Sequence, residues 1–310
     1  MNELEPINQK KIFGLDSYFL ELVRLFKSNS FPNKILLSGL KGIGKATLAY
    51  HFINYVLSND EKYAYDINKF EINPESSNFK TILNKSNPNL INIDINTDKK
   101  SIDIIQIRDL IKLLNKSSFN NKPRFVLIDN IELLNINSIN ALLKVLEEPN
   151  KNVYFILIHN NRKILSTLLS RCINYKISLT HNECLKISNQ LFNDKIENLL
   201  NIELINYFFT PGNIFYLLKF AKKYDYDLRG YDLKDFLKII IKERHYSKDP
   251  IMNYMIFDFI ESYFRKLSES FSFKINEKYS YFIKRISETK TFNLDEETLF
   301  IEFEEKILNG

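Results

Sequence analysis

The chain is expected to be an α/β protein built on a parallel sheet, followed by an all-helical region. Three observations lead there. A glycine loop stands between an apolar run and an amphipathic helix across residues 35–57. Apolar runs then alternate with helical patterns up to about residue 177, as in a parallel sheet with helices on both faces. Beyond residue 178 convincing strand signals stop and helical periodicity dominates.

In chain order, Leu15, Phe19, Leu22, Val23 and Phe26 mark one face of a helix over 15–27, which Ser30-Phe31-Pro32-Asn33 interrupts. Ile35 to Leu37 has the composition of a buried parallel strand. Next, Gly39-Leu40-Lys41-Gly42-Ile43-Gly44-Lys45 fits G-x-x-x-x-G-K, the phosphate-binding loop. Ala49, Phe52, Ile53, Val56 and Leu57 continue it at helical spacing. Glycines let backbone N–H groups turn inward around an anion, and a helix N-terminus adds partial positive charge. Lys45 would reach the outer phosphates.

One position departs from the motif. A Ser or Thr should follow the lysine, because its hydroxyl holds magnesium. Ala46 stands there, and Thr47 comes one residue late, turned about 100° around the helix. A methyl cannot ligate a metal. Gly39, Gly42, Gly44, Lys45, Thr47 and, further on, Asp129 therefore make a degenerate nucleotide site, at which residual ATP or ADP binding stays open.

Residues 58–90 are polar and irregular, a surface excursion by expectation. Leu90 to Ile95 returns to a strand, and Ser101 and Asp103 open a helix carrying Ile104, Ile107, Ile111 and Leu114 on one face. RFVLID, 124–129, is a strand that ends on an aspartate. Asn137-Ser138 offers a cap for a helix with Ala141, Leu142, Val145 and Leu146, stopped by Glu147-Glu148-Pro149. Val153 to Ile158 is the next strand, and Leu165 to Leu169 a short helix. The later helical stretches are Leu185–Phe192, Ile214–Ala221, Leu233–Ile241, Ile251–Phe264 and Leu299–Leu308, with Thr210-Pro211-Gly212 as punctuation. Domain boundaries follow: an α/β domain over 1–177, a small helical domain over 178–225 and a second helical domain over 226–310.

Composition sets outer limits. With 310 residues and 45% hydrophobic content the chain can fill proper cores, and only 7 Gly and 8 Pro argue for long regular elements. A net charge of +5 is compatible with nucleic acid nearby without demanding it. Cys172 and Cys184 cannot form a Cys-only metal site or a disulfide framework, so no metal site and a reducing cytoplasm are expected. The N-terminus lacks a signal-peptide core, and no apolar run approaches membrane length.

Asp129 ends its strand where a second magnesium-coordinating carboxylate belongs in a phosphate-loop protein. The next position would carry a glutamate to activate water. It is Asn130, and an amide cannot accept a proton at neutral pH. Ala46 and Asn130 fail independently, and both point to a site that does not hydrolyse. Ser170-Arg171-Cys172 closes the short helix; alone, Arg171 reads as a surface arginine. No histidine–acid pattern supports a catalytic thiol, and the four histidines show no metal-ligand spacing. Lys99, Lys100 and Arg108 could meet phosphates, although a solvated basic face explains them more simply. The stripe Tyr254, Phe257, Phe259, Tyr263 and Phe264 fits a core or a subunit interface better than a base-stacking platform.

GLKGIGKATLAY, RFVLIDNIELLNINSINALLKVLEEP and LSTLLSRC, in that order and spacing, resemble the delta-prime family of the bacterial DNA polymerase III clamp loader, a branch of the AAA+ proteins. Asn140 to Lys144 with Leu146 to Pro149 and the Ser-Arg-Cys triplet carry the resemblance, which is good over about residues 10–180. It implies an AAA+ module of two domains, the second a helical lid, and a helical collar that oligomerises. It implies a stator-like, non-hydrolysing member of a five-subunit ring that loads the sliding clamp onto primed DNA. Its partners would be the delta subunit and the gamma/tau ATPase subunits. Arg171 would enter a neighbour's ATP site in trans, and no cofactor would be required. Many family members carry a four-cysteine zinc module after the phosphate-loop helix; no cysteine stands there, so no zinc is expected. Two other readings stay open: a self-contained ATPase of a clamp loader or another AAA+ complex, and a sequence-tolerant DNA-binding module.

Overall fold

The computed structural model describes residues 4–95, 101–116, 120–147, 152–161, 164–205, 209–268, 273–292 and 294–309. Lys99, Lys100, Glu148 and Pro149 lie outside them. The chain divides into two compact units, Met1–Ile187 with Thr210–Gly212, and Ser188–Phe209 with Asn213–Gly310.

In chain order the first unit holds α1 (Asp16–Lys27), β1 (Lys34–Ser38), α2 (Lys45–Ser58), α3 (Ser77–Leu83), β2 (Leu90–Ile93) and α4 (Ile104–Leu114). β3 (Arg124–Ile128), α5 (Ile136–Glu147), β4 (Val153–His159), α6 (Ser166–Leu169) and β5 (Ile173–Lys176) follow, and α7 (His181–Phe192) begins in this unit. The five strands are all parallel, in the order β2-β3-β4-β1-β5.

The apolar runs in the sequence have a simple cause. Successive strand side chains point to opposite faces. Ile35, Leu37, Phe125, Leu127, Ile156 and Ile158 enter one core with α1 and α2. Leu36, Val126, Ile128, Phe155 and Leu157 enter the other with α4 and α5. A strand buried on both sides has no polar face to alternate with. β5 lacks this signal. It is an edge strand with Ile173, Asn174 and Lys176 exposed, and periodicity does not reveal it.

Residues 59–89 are more than the surface excursion expected. Tyr65, Ile72, Phe79 and Ile82 are buried in the α1–α2 core. The Glu61 carboxylate ties this segment down, accepting from Ser76 Oγ at 2.6 Å, Asn78 N at 3.1 Å and Asn78 Nδ2 at 2.7 Å at the start of α3. Buried His51 bridges Tyr65 Oη and the Gln9 carbonyl, each at 2.9 Å, and burial pushes its pKa down to about 3. α5 starts earlier than Asn137-Ser138 suggests: the Asn135 side chain accepts from Ser138 N at 2.9 Å. Asp103 caps α4 as expected, in a reciprocal box with Gln106.

The second unit is helical in its described residues: α8 (Pro211–Tyr224) from Asn213 onward, α9 (Leu233–Lys242), α10 (His245–Lys248), α11 (Pro250–Ser268), α12 (Phe273–Phe292) and α13 (Glu296–Phe303), closed by a π turn over Glu304–Leu308. Its core runs from Ile196 to Leu308 and draws on residues either side of 225. Phe257, Phe259, Tyr263 and Phe264 lie in that core, as the plainer reading of the aromatic stripe expects. α12 is absent from the sequence reading, since its pattern is mostly polar and its buried side chains, among the described ones, are Phe282, Ile286 and Thr289.

Candidate functional site

In a parallel sheet every strand ends on the same edge, so the loops leaving β1, β2, β3 and β4 gather at the carboxyl end. The sequence-predicted residues of the phosphate loop and Asp129 meet there. Gly44 is the N-cap of α2 at φ +93°, a left-handed conformation that a side chain would strain. Gly39 runs at φ +155° with the Ile177 carbonyl so close that a Cβ would lie 2.3 Å from its oxygen. The far side of the loop is braced by Thr210 and Gly212. Thr210 Oγ1 donates to the Lys41 carbonyl and Gly212 N to the Gly42 carbonyl, both at 2.8 Å.

Lys45 is buried at 3% exposure. Its Nζ donates to the Gly39 carbonyl at 2.9 Å and the Leu40 carbonyl at 2.5 Å. An ammonium has three donors, so these two bonds aim the side chain back into the loop and leave one N–H for an anion. Burial lowers its pKa to about 8, against the opposing pull of Asp129 and Glu132. Burial, helped by the nearby Asp94 carboxylate, raises Asp129 to about 6. Asn130 N donates to Asp129 Oδ1 at 2.8 Å and holds the carboxylate at the strand end. Ala46 packs its methyl against the α1–α2 core, and Thr47 is half-buried on α2.

Asn130 sits at φ +55° and bridges its neighbours. Its Nδ2 donates to Asp94 Oδ1 at 3.0 Å, and its Oδ1 accepts from Asn160 Nδ2 at 2.9 Å. Asn160 also donates to both oxygens of Glu132, from Nδ2 at 2.8 Å and from its backbone N at 3.3 Å. Asp94, Glu132 and Asn160 belong to this cluster and escape sequence reading. The available signal was weak: Asp94 follows β2 and Asn160 follows β4, as Asp129 follows β3. No group of three His, Cys, Asp or Glu side chains suited to a metal occurs among the described residues.

Arg171 lies elsewhere. It stands two residues before Ile173, which pairs with Ile35 at the start of β1. The phosphate loop leaves the other end of that strand. From the level of Asn33 to Gly39 the rise is about 20 Å at strand spacing. Arg171 Nε and Nη2 donate to Glu147 Oε1 at 3.2 and 2.6 Å, and Nη1 donates to the Thr167 carbonyl at 2.9 Å. Leu165, Leu169 and Ile173 beside it in the chain are exposed. The Cys172 thiol is pushed up to about 11 by burial, which suits no nucleophile. Arg108 is exposed on α4.

The chain is similar to known proteins over more than half of its length. Subunit delta' of DNA polymerase III from Buchnera aphidicola (Schizaphis graminum) is 26% identical over 196 residues, covering 60% of this chain and 56% of that protein. The delta' subunit of Pseudomonas aeruginosa is 30% identical over 139 residues, 44% of this chain and 40% of its own. The chain thus spans about half the length of the delta' relatives it matches. Subunit tau of Bacillus subtilis is 32% identical over 168 residues, 54% of this chain and 28% of its own. Among solved structures, a gamma subunit-related protein of Thermotoga maritima aligns over 91% of this chain and 96% of its own, at 18% identity and a TM-score of 0.47. A family model described as DNA polymerase III, delta subunit, matches residues 15–181, more than half of the 310-residue chain, and with delta' subunits among its curated relatives the chain belongs to the delta-prime family of DNA polymerase III.

Proposed function

We propose that this chain is a non-hydrolysing, stator-like subunit of a DNA polymerase III clamp loader. It assembles with a delta subunit and gamma/tau ATPase subunits to load the sliding clamp on primed DNA, and it presents Arg171 to a neighbour's ATP site. The observation that carries this reading is the separation of Arg171 from its own phosphate loop by about a strand's length. A guanidinium at the amino end of the sheet is far from a phosphate bound at the carboxyl end of its own chain, which supports a phosphate partner from another chain. Ala46 and Asn130 support the non-hydrolysing half of the proposal.

Residues 226–310 are proposed as the oligomerising collar and 178–225 as the lid. The aromatic stripe lies in the core; among the described residues exposed Tyr281, Leu294 and Ile301 are apolar side chains that segment would offer a partner. A cytoplasmic setting belongs to the same proposal, and no described helix is long and apolar enough to cross a membrane.

Glu132 favours a second reading, a self-contained ATPase. Its carboxylate can accept a proton, and it sits in the same cluster as Asp129 and Lys45. ATP turnover by the purified chain separates the two. The stator reading expects none above background. Turnover abolished by both Lys45→Ala and Glu132→Gln would make this chain a motor.

A further inference from the structure

Glu147 is badly placed as a helix residue. It is the last described residue of α5, and Pro149 two positions on in the sequence stops a helix, so Glu147 belongs to the end at which the helix dipole is negative and a carboxylate is unfavourable. A choice that breaks a local rule calls for a compensating contact. That contact is Arg171, 24 residues on, reached by Nε and Nη2 together at Glu147 Oε1. The opposite side of the guanidinium is held by the Thr167 carbonyl in the last turn of α6. Two elements therefore fix one planar group from two directions. A guanidinium has five N–H donors; three are committed among the described residues, which leaves one on each terminal nitrogen there. Those two suit an anion with two oxygens in one plane, such as the terminal phosphates of a nucleotide. An arginine on a surface would otherwise sample many rotamers and lose that freedom at the moment it engages.

We infer that Glu147 is a positioning residue for Arg171: with the Thr167 carbonyl it holds the guanidinium extended at the subunit surface, its outer N–H groups ready for a neighbouring subunit's nucleotide. This rests on the trans-acting role of Arg171 proposed above. Glu147 itself touches no substrate. Its carboxylate lends orientation, and the attraction of Arg171 for a polyphosphate exceeds that for one partly exposed carboxylate because more negative charge is concentrated there.

The test uses the clamp loader reconstituted with its partner subunits, and compares Glu147→Ala, Glu147→Gln, Arg171→Ala and the double variant. Glu147→Ala is expected to lower the clamp- and DNA-stimulated kcat of the ATPase by about 1.5- to 5-fold at the site served, the rate equivalent of an exposed ion pair. KM for ATP should not move, since the neighbour's own loop binds the nucleotide. Glu147→Gln, which keeps an acceptor oxygen, should recover part of the loss. Glu147→Ala should add nothing once Arg171 is alanine. Wild-type rates for Glu147→Ala, a rate above wild type, or an equal loss in the Arg171→Ala background would each overturn the inference. If Arg171→Ala is itself silent, the trans-acting reading fails and takes this one with it. If Arg171→Ala costs activity and Glu147→Ala does not, only the positioning role fails.

Discussion

The two ends of one sheet carry the two charged features of this molecule, and they are built in opposite ways. At the carboxyl end Lys45 is 3% exposed and bonded to the loop it serves, beside a carboxylate that burial keeps near a pKa of 6. At the amino end the Arg171 side chain is 32% exposed and rests on a half-exposed glutamate. A buried charge is costly to keep and rigid; an exposed pair is cheap and replaceable. The first arrangement suits a loop kept in shape by the fold. The second suits a group held at the surface with donors left for a further partner. The difference teaches that the loop end should govern the stability of the isolated chain, and the arginine end should matter only in company.

The largest expected effect on the isolated chain comes from Gly39. A Cβ there meets the Ile177 carbonyl oxygen at 2.3 Å in a conformation that side chains rarely adopt. Gly39→Ala should cost about 3 kcal/mol or more in denaturant unfolding. A loss below about 0.5 kcal/mol would mean that the loop is not held as described.

Next is Asp129. Its folded pKa, about 6, lies above the ordinary carboxylate value of 3.8. Between those values the folded state binds more protons than the unfolded state, so stability falls as pH rises from about 4 to 6 and stays reduced above. The full shift corresponds to about 3 kcal/mol. Asp129→Asn should therefore stabilise the chain at neutral pH, by about 1–2 kcal/mol because Lys45 loses a partner charge, and should flatten the profile between pH 4 and 6. Lys45 acts at the other limit. Its pKa is lowered to about 8, so its cost is present below pH 8 and relieved as pH rises toward 10.5. Thermal unfolding of wild type and Asp129→Asn across this range is the check; parallel curves would contradict the burial of this carboxylate.

The smallest effect is expected at the other end. Arg171→Ala and Glu147→Ala should each change the stability of the isolated chain by less than about 1 kcal/mol, as partly exposed ion pairs do. A larger loss from Arg171→Ala would make it a structural residue and erase the contrast between the two ends.

Much of the loop end was legible in the sequence, because strand, glycine loop and helix are contiguous and β1, β3 and β4 are apolar on both faces. Asp94, Glu132 and Asn160 were not, because their meeting depends on β2, β3 and β4 being neighbours, and strand order is not written in local pattern. β5 was missed because an edge strand has little to bury, and residues 59–89 were undervalued because their four buried apolar side chains are scattered among polar ones. At the arginine end Arg171 was found through resemblance. In the sequence its partner Glu147 reads only as part of a helix stop, and nothing in linear spacing connects it to Arg171.

The central claim is that Arg171 acts on a nucleotide held by another subunit. Its most direct test is clamp loading and clamp- and DNA-stimulated ATPase in the reconstituted complex, with Arg171→Ala and Arg171→Lys alongside wild type. Arginine fingers in the best-studied switch proteins are worth about 10³–10⁵ in rate at their own site. Because the chain would serve one of several sites, total ATPase should fall only in part, while loading, which needs the sites to act together, should fall further. Assembly should be unaffected, and Arg171→Lys should rescue poorly because an ammonium lacks the planar fork. Wild-type ATPase and wild-type loading from the Arg171→Ala complex would contradict the account.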